Sequence, residues 1–339
     1  MLKLFKSFIK RFYIVLIIAV IVNIPIVVLG VTKTNKAITL TGDITDISSF
    51  VKIENEYETK GSISSIYVKY YEKSTILQNL LAKLDHTNEI EELSESVTHL
   101  TALENYNSGL CQKNSAMMTS IITAYTKAKE LDDKINIEYS FNGYTVTYYS
   151  LSSKFRIGDR LIKINDIDTS IGDLEFKNSL LSALKDEKED NYVVIRDGVE
   201  LSIKEKDFGS ISIYPYYNIN YDTIYPKINV AKTTTVGPSA GFLQSLAIYN
   251  KLIKDDITKG LKIAGTGTID AYANIGIIGG IKEKIYTAFK RNVDVFFCPS
   301  ENYDEAKEAY DSLNNKEKMA LVKVETFSDA ISYLENYGL

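Results

Sequence analysis

The sequence predicts an α+β protein carried on one N-terminal transmembrane helix. Three observations predict it. Residues Phe12–Val31 form an uncharged apolar run of 20 residues. Residues 136–206 hold short β-type runs punctuated by Gly turns, and residues 210–339 alternate strand and helix patterns while holding four of the five Pro. The chain has 339 residues, enough for about two domains and a sizeable core.

The apolar run comes first. At 1.5 Å per residue it crosses a bilayer core of about 30 Å. Asn23 and Pro25 are its only polar or helix-breaking members. Lys3, Lys6, Lys10 and Arg11 precede it without an acid, whereas Lys33 and Lys36 after it are balanced by Asp43 and Asp46. The positive-inside rule therefore predicts a single-pass protein of the cell membrane, with a cytoplasmic tail at 1–11, a span at 12–31 and the rest outside the cytoplasm. The competing expectation is a cleaved signal peptide, but the run is long for one and no A-x-A site follows it.

Residues 32–135 read as polar segments, a strand at Gly61–Tyr71, and a helical block from Ser74 to about Leu131 broken near Asn105–Gly109. In 136–206, INIEYSFNGYTVTYYS predicts a hairpin turning at Asn142-Gly143. A Gly158-Asp159 turn leads into Leu161, Ile162 and Ile164. A helix follows over Leu174–Leu184, then strands around Asn191–Ile195 and Glu200–Ile203 joined by Asp197-Gly198. These elements, and the phrase IGDRLIKIND in particular, resemble a PDZ domain. The resemblance implies capture of peptide C-termini by backbone amides. It departs upstream, where YTVTYYSLSS lacks the Gly-rich apolar phrase usual in that family's carboxylate loop. The bland reading is a small structural β domain.

Composition narrows the chemistry. Charge is 39 Lys+Arg against 44 Asp+Glu, a net of -5, which argues against nucleic-acid binding. Two His, His86 and His99, cannot build a three-His metal site, and neither lies in a motif that would serve a Ser-His-Asp triad. Cys111 and Cys298 form no CxxC; the sequence allows one bridge between them, and the favoured reading is two lone buried thiols. No Walker motif occurs, so no nucleotide site, cofactor or metal is expected. The chemistry is left to Ser, Thr, Lys, Tyr or carboxylates.

Three phrases carry such groups. In TTTVGPSAGFLQSLAIYNKL, Ser239 sits where a loop enters a helix, beside free N–H groups and the positive end of the helix dipole. That setting suits an oxyanion, and it equally suits a Ser that merely caps the helix. In LKIAGTGTIDAYANIGIIGG, alternating apolar residues lead into Gly265-Thr266-Gly267-Thr268. In IGGIKEKIYTAFKRN, the apolar stripe of Ile281, Ile285, Ala288 and Phe289 leaves Lys282 and Lys284 on opposite flanks, each roughly 80° from its centre. Periodicity does not choose between the two lysines, and either could be a solvated flank with a buried stem.

Taken in order with VDVFFCPSEN (Val293–Asn302) and the closing VETFSDAISYL, these phrases resemble the proteolytic domain of Lon-type proteases over about residues 228–335. The resemblance implies a fold of the ribosomal protein S5 domain 2-like type and a Ser-Lys dyad. Ser239 would be the nucleophile, Lys284 the general base, and Thr266-Gly267 the step that assists the lysine. Val236 departs from the Gly or Asp usual before GPSAG. A base must be neutral, so burial would have to lower the Lys284 pKa from about 10.4. The Ser239 and Ala240 amides are the candidate oxyanion hole.

The whole arrangement resembles the PDZ-containing, membrane-anchored Lon-like (YlbL-type) proteins of Gram-positive bacteria. It implies a Lon-type domain at 207–339, with the strand and helical block of 32–135 completing it and the PDZ-like segment inserted at 136–206. The implied function is an ATP-independent serine endopeptidase acting on unfolded or membrane-proximal protein or peptide substrates. A ring-like homo-oligomer is implied by the resemblance alone. The alternatives are a catalytically silent binding or scaffold protein and a regulator that cleaves only itself.

Overall fold

A computed structural model describes residues 2–93, 99–183, 188–206 and 211–338. In chain order, α1 (Leu2–Val31) is followed by β1 (Lys36–Asp46), β2 (Val51–Ile53), β3 (Ser62–Tyr71), α2 (Ile76–Ala82), β4 (Glu89–Glu92) and α3 (Ala102–Lys129). The middle holds β5 (Tyr139–Tyr149), β6 (Arg160–Ile164), β7 (Ile167–Asp168), α4 (Asp173–Ala183), β8 (Asp190–Arg196), β9 (Val199–Glu205) and β10 (Ile211–Ile219). The C-terminal part comprises β11 (Ile228–Val230), α5 (Gly241–Leu252), β12 (Lys262–Gly265), β13 (Thr268–Ile269), β14 (Ile275–Gly276), α6 (Ile281–Lys290), β15 (Val295–Pro299), α7 (Tyr303–Asp311), β16 (Ala320–Val324) and α8 (Phe327–Glu335). The chain divides into two compact units, Met1–Thr41 with Val68–Glu95, and Gly42–Tyr67 with Ser96–Leu339.

In the first unit, Lys10–Val31 is one helical stretch long and apolar enough to cross a membrane. Asn23 would be a liability there, but its side-chain amide donates to the Ala19 carbonyl at 2.8 Å and is satisfied within the helix. A capping box of Thr75 and Gln78 starts α2. The β4 strand pairs antiparallel with the Lys36–Thr39 stretch of β1.

The second unit is layered. The strands β16, β15, β12 and the Ser62–Ser65 stretch of β3 lie side by side in parallel. Helices cover both faces, which is why the strands read as continuous apolar runs such as Val295–Pro299, buried throughout. On one face α5 and α8 pack with Phe297 and Val324; on the other α6 and α7 pack with Ala264, Phe296 and Cys298. Every residue of α5 is buried. Its buried polar side chains find partners. Ser245 donates to the Gly241 carbonyl, Asn250 bonds Thr59 and the Ile257 amide, and Lys251 reaches the Val51 carbonyl and Glu56. The N-terminal third contributes β3 beside β12, β2 beside β11, and α3 against α5.

A second, antiparallel sheet runs β10-β5-β6-β8-β9, with β7 paired to β6. It packs α4 through a core that includes Tyr144, Phe155, Leu161, Phe176 and Tyr192. The turns at Gly158-Asp159 and Asp197-Gly198 fall where expected, and Asp197 and Gly198 both take the positive φ, 51° and 80°, that this hairpin needs. Within the expected helix Leu174–Leu184, Leu184 lies outside the described residues. The sheet runs past residue 206, because β10 pairs with β5.

Three expectations need correction. The helical block does not break at Asn105–Gly109. Instead α3 runs unbroken from a Thr101/Glu104 capping box. Gly109 is a packing glycine, since a Cβ there would meet Val236 Cβ at 2.9 Å. The interruption lies earlier, between α2 and α3, and holds β4; residues 94–98 of the expected block lie outside the described residues. Next, Asn142-Gly143 makes no hairpin, because β5 passes straight through it. The pair sits opposite a register shift between Pro215 and Tyr217 of β10, so the extra length is a bulge. Gly143 is required by φ 101° and by the Leu161 carbonyl, which a Cβ would approach to 2.2 Å. Lastly, Cys298 is buried, but Cys111 is only partly covered; both are free thiols.

A Gly143→Ala change should therefore lower the unfolding free energy by about 2 kcal/mol or more, as expected for strain at a special φ/ψ. Urea unfolding of the variant measures this. An unchanged midpoint would mean that this stretch is the free turn the sequence pattern suggests.

Candidate active site

The start of α5 is held from three sides. Gly237 adopts φ 91°, and its amide donates to the Gly109 carbonyl of α3 at 2.9 Å. Lys113 Nζ donates to the Thr233 and Thr235 carbonyls, each at 2.8 Å, fixing the approach. Ser120 Oγ donates to the Gly241 carbonyl at 2.7 Å. Ser239 is half-buried in the resulting loop. The capping reading of Ser239 fails here: Ala240 holds the N-cap position, and no side chain caps the helix. Among the described residues, the Ser239 and Ala240 amides donate to no backbone carbonyl.

Strand β12 leads into Thr266, which is fully buried. Its amide donates to the Phe297 carbonyl at 3.2 Å, and its hydroxyl donates to the Ser239 carbonyl at 3.1 Å. The Gly267 amide donates to the same Ser239 carbonyl at 2.9 Å, and the Gly267 carbonyl accepts from the Phe242 amide. Position 267 admits no side chain: a Cβ would stand 2.8 Å from Ile275 Cγ2. The Thr266-Gly267 step is thus stitched to Ser239 by two hydrogen bonds.

Helix α6 begins at Gly280, whose left-handed backbone (φ 70°, ψ 37°) serves as its N-cap. Ahead of it, Asn302 clasps Ile278 from both sides, accepting from its amide at 2.9 Å and donating to its carbonyl at 3.0 Å. Sequence reasoning did not single out Asn302; its only signal is its place in the phrase VDVFFCPSEN. With Ile281 and Ile285 buried, the helix turns Lys284 inward. Lys284 is 2% exposed, and its Nζ donates to Thr266 Oγ1 at 3.0 Å. Lys282 is only half-buried. Packing makes the distinction between the two lysines that periodicity leaves open.

Electrostatics follow from burial. Loss of hydration disfavours the ammonium and pushes the Lys284 pKa down to about 7, while Glu283 and Cys298 pull weakly the other way. Glu283 is itself buried, and Cys298, in the core behind the lysine, is pushed up to about 12 by burial. The expected roles therefore fall on residues that sit together. Thr266 bridges Lys284 to the Ser239 backbone, and Ala240 and Gly267 adjoin them. Beside Pro238 opens a groove of about 450 Å³, walled by Ser115 and Thr119 of α3, Ile213–Pro215 of β10 and Ile275–Ile277 of the β13–β14 hairpin. His99 is engaged elsewhere, with Nε2 2.7 Å from the Tyr149 carbonyl. No group of three or more His, Cys, Asp or Glu suited to a metal ion occurs among the described residues.

The buried amine links stability to pH. Lys284 has a folded pKa of about 7 against an ordinary value of 10.5, so between those values the unfolded chain holds more protons. Stability contributed by this site is lowest below pH 7 and rises by roughly 1.4 kcal/mol per pH unit across that window. Lys284→Met removes the titrating group. The difference in unfolding free energy between the wild type and this variant should therefore grow in favour of the wild type from pH 7 to 10, as read by chemical denaturation. Parallel pH profiles would show that the amine is not buried.

Residues 217–334 match the family profile of the Lon protease (S16) C-terminal proteolytic domain. Among similar proteins, the Lon protease of Campylobacter jejuni is 30% identical over 187 residues, 52% of this chain and 22% of that protein. The Lon protease of Clostridioides difficile is 34% identical over 98 residues, 28% of this chain and 12% of its own length. That of Aster yellows witches'-broom phytoplasma is 33% identical over 96 residues, 28% and 12% respectively. The chain thus spans about a fifth or less of the length of these relatives. The matched residues 217–334, which include Ser239, Thr266 and Lys284, are similar to the Lon protease (S16) C-terminal proteolytic domain.

Proposed function

We propose that the chain is a membrane-anchored serine endopeptidase that hydrolyses unfolded or loosely folded protein segments through a Ser239–Lys284 dyad, without ATP. The observation that carries this reading is the Lys284 amine. It is buried, its pKa is pushed down to about 7, and it is tied through Thr266 to the backbone of Ser239. A serine hydroxyl is a weak nucleophile without a base, and an amine that is neutral near physiological pH can act as one.

The steps balance as follows. Ser239 Oγ attacks the substrate carbonyl carbon, and its proton passes to Lys284 Nζ. The tetrahedral oxyanion is stabilised by the Ser239 and Ala240 amides at the positive end of α5. The C–N bond breaks, Lys284 returns the proton to the leaving amine, and water hydrolyses the acyl ester with Lys284 again as base. Thr266 acts as a positioning residue: its hydroxyl proton points to the Ser239 carbonyl, so its lone pair faces the amine. The groove beside Pro238 would take the substrate in extended form.

The remaining parts fit around this centre. α1 would anchor the chain, with Lys3, Lys6, Lys10 and Arg11 on the cytoplasmic side. β2, β3 and α3 would complete the proteolytic domain, with the PDZ-like sheet inserted between α3 and α5 to present substrate tails. No Walker motif supplies ATP-driven unfolding, so substrates would arrive already unfolded.

The test uses the full chain in detergent micelles with casein and no nucleotide. Hydrolysis should occur. Ser239→Ala and Lys284→Ala should each lower it by about 10³-fold or more, by analogy with other nucleophile–base pairs. Lys282→Ala should leave it largely intact. Activity that survives Ser239→Ala sinks the dyad, and no turnover under any condition favours a binding or scaffold role. The rate should also rise with pH through an apparent pKa near 7, the value at which Lys284 loses its proton. Thr266→Val should lower kcat and move that pKa, whereas a merely structural role would leave the profile in place.

A further inference from the structure

The last turn of α1 and the first turn of α2 are clasped together. The Ile76 amide donates to the Thr32 carbonyl at 3.1 Å, and the Thr34 amide to the Ser74 carbonyl at 2.8 Å. Behind these lies a buried polar knot. Ser74 Oγ donates to Asn79 Oδ1 at 3.0 Å, and Asn79 Nδ2 donates to Thr34 Oγ1 at 2.9 Å; Ser74 is fully buried and Asn79 nearly so. A Cβ at Gly30, within the apolar run itself, would stand 3.8 Å from Leu77 Cδ2, so the two helices approach closely there. The depth of α2 is therefore set by α1: its first turn stands level with the end of the span.

What α2 turns outward from this position is apolar. Leu80, Leu81 and Leu84 are 50%, 57% and 83% exposed. Leu81 also borders a groove of about 320 Å³ whose walls include Ile38, Leu40 and Tyr71, on the β1–β3 side of the same unit. Two open leucines on one short helix and a third two residues past its end serve no core, and in water they would be a liability. A helix of seven residues is about 10 Å long, so all of α2 stays within about 10 Å of the end of the span. The headgroup layer on each side of a bilayer is some 6 Å thick. Leucines and a tyrosine at that level match the composition of interfacial anchors.

We propose that α2 is a second membrane contact. Leu80, Leu81 and Leu84, with the Ile38–Tyr71 groove, lie in the outer interface of the same bilayer that α1 crosses, and their occupant is phospholipid. A spanning helix clasped to one that rests on the surface fixes the orientation of the unit at the membrane as well as its attachment. The inference rests on the reading of α1 as a membrane span.

The chain has no Trp, so one substitution creates a sole reporter. Full-length Leu84→Trp and Leu81→Trp would each be reconstituted into phosphatidylcholine vesicles with and without dibrominated acyl chains. Val20→Trp in α1 and Leu151→Trp, at a site 81% exposed in the other unit, serve as references. Tryptophan at 84 and at 81 should emit to the blue of the Leu151→Trp reference and lose much of its fluorescence to brominated lipid. Val20→Trp should be quenched more deeply and Leu151→Trp hardly at all. If Val20→Trp is quenched while 84 and 81 behave like 151, the proposal is overturned and the anchor stands. Blue-shifted emission at 84 and 81 without quenching would mean that protein covers the leucines, which also overturns it. If Val20→Trp escapes quenching, the span itself fails and the proposal fails with it.

Discussion

The constraint around which the candidate site is organised is one primary amine in a dry place. Lys284 is 2% exposed, and burying an ammonium there would cost several kcal/mol, so the group tends to shed its proton instead. That single fact imposes conditions on its surroundings. The amine needs a polar partner, which Thr266 supplies at 3.0 Å. Thr266 must be fixed in turn, and it is: its backbone bonds Phe297 of β15 and its hydroxyl bonds the Ser239 carbonyl. The lysine must also be delivered inward, which requires α6 to start sharply at Gly280 and to bury Ile281 and Ile285. Three separate elements thereby meet at one point.

Helix α5 makes the meeting rigid. A helix buried on every side is rare outside large cores, and here it is surrounded by α3, α8 and the parallel strands. Segments distant in sequence provide that cover. β2 and β3 from the N-terminal third, and α3, pack onto or beside the C-terminal elements; the Gly109 carbonyl and Lys113 of α3 hold the very loop that presents Ser239. The antiparallel sheet meets this body through β10 and β5, both of which pack on α3, and β10 also walls the groove beside Pro238.

Much of this was legible in the sequence because its signals are local. The apolar run of α1, the Asp197-Gly198 turn and the strand-helix alternation after residue 210 need no partner to be read. The candidate site residues stood out only as ordered phrases, since neither Ser239 nor Lys284 is distinctive alone. What failed depended on contacts. Asn142-Gly143 has a turn's composition, yet the glycine exists because the Leu161 carbonyl passes at 2.2 Å from where a Cβ would be. Gly109 looks like a helix breaker, yet it lets Val236 approach α3. Asn302 and the burial of Glu283 beside Lys284 could not be read at all, because both depend on how α6 is seated.

The central claim is that a neutral Lys284 activates Ser239. The most direct measurement is the rate at which a peptidyl fluorophosphonate phosphonylates the full chain, with loss of fluoride, as a function of pH, with the adduct mapped by mass spectrometry. One adduct is expected, on Ser239. It forms at a rate that rises through a single step near pH 7, the value to which burial pushes the lysine, and that step vanishes in Lys284→Met. An adduct on another residue, or an unchanged rate and pH profile in Lys284→Met, would contradict it.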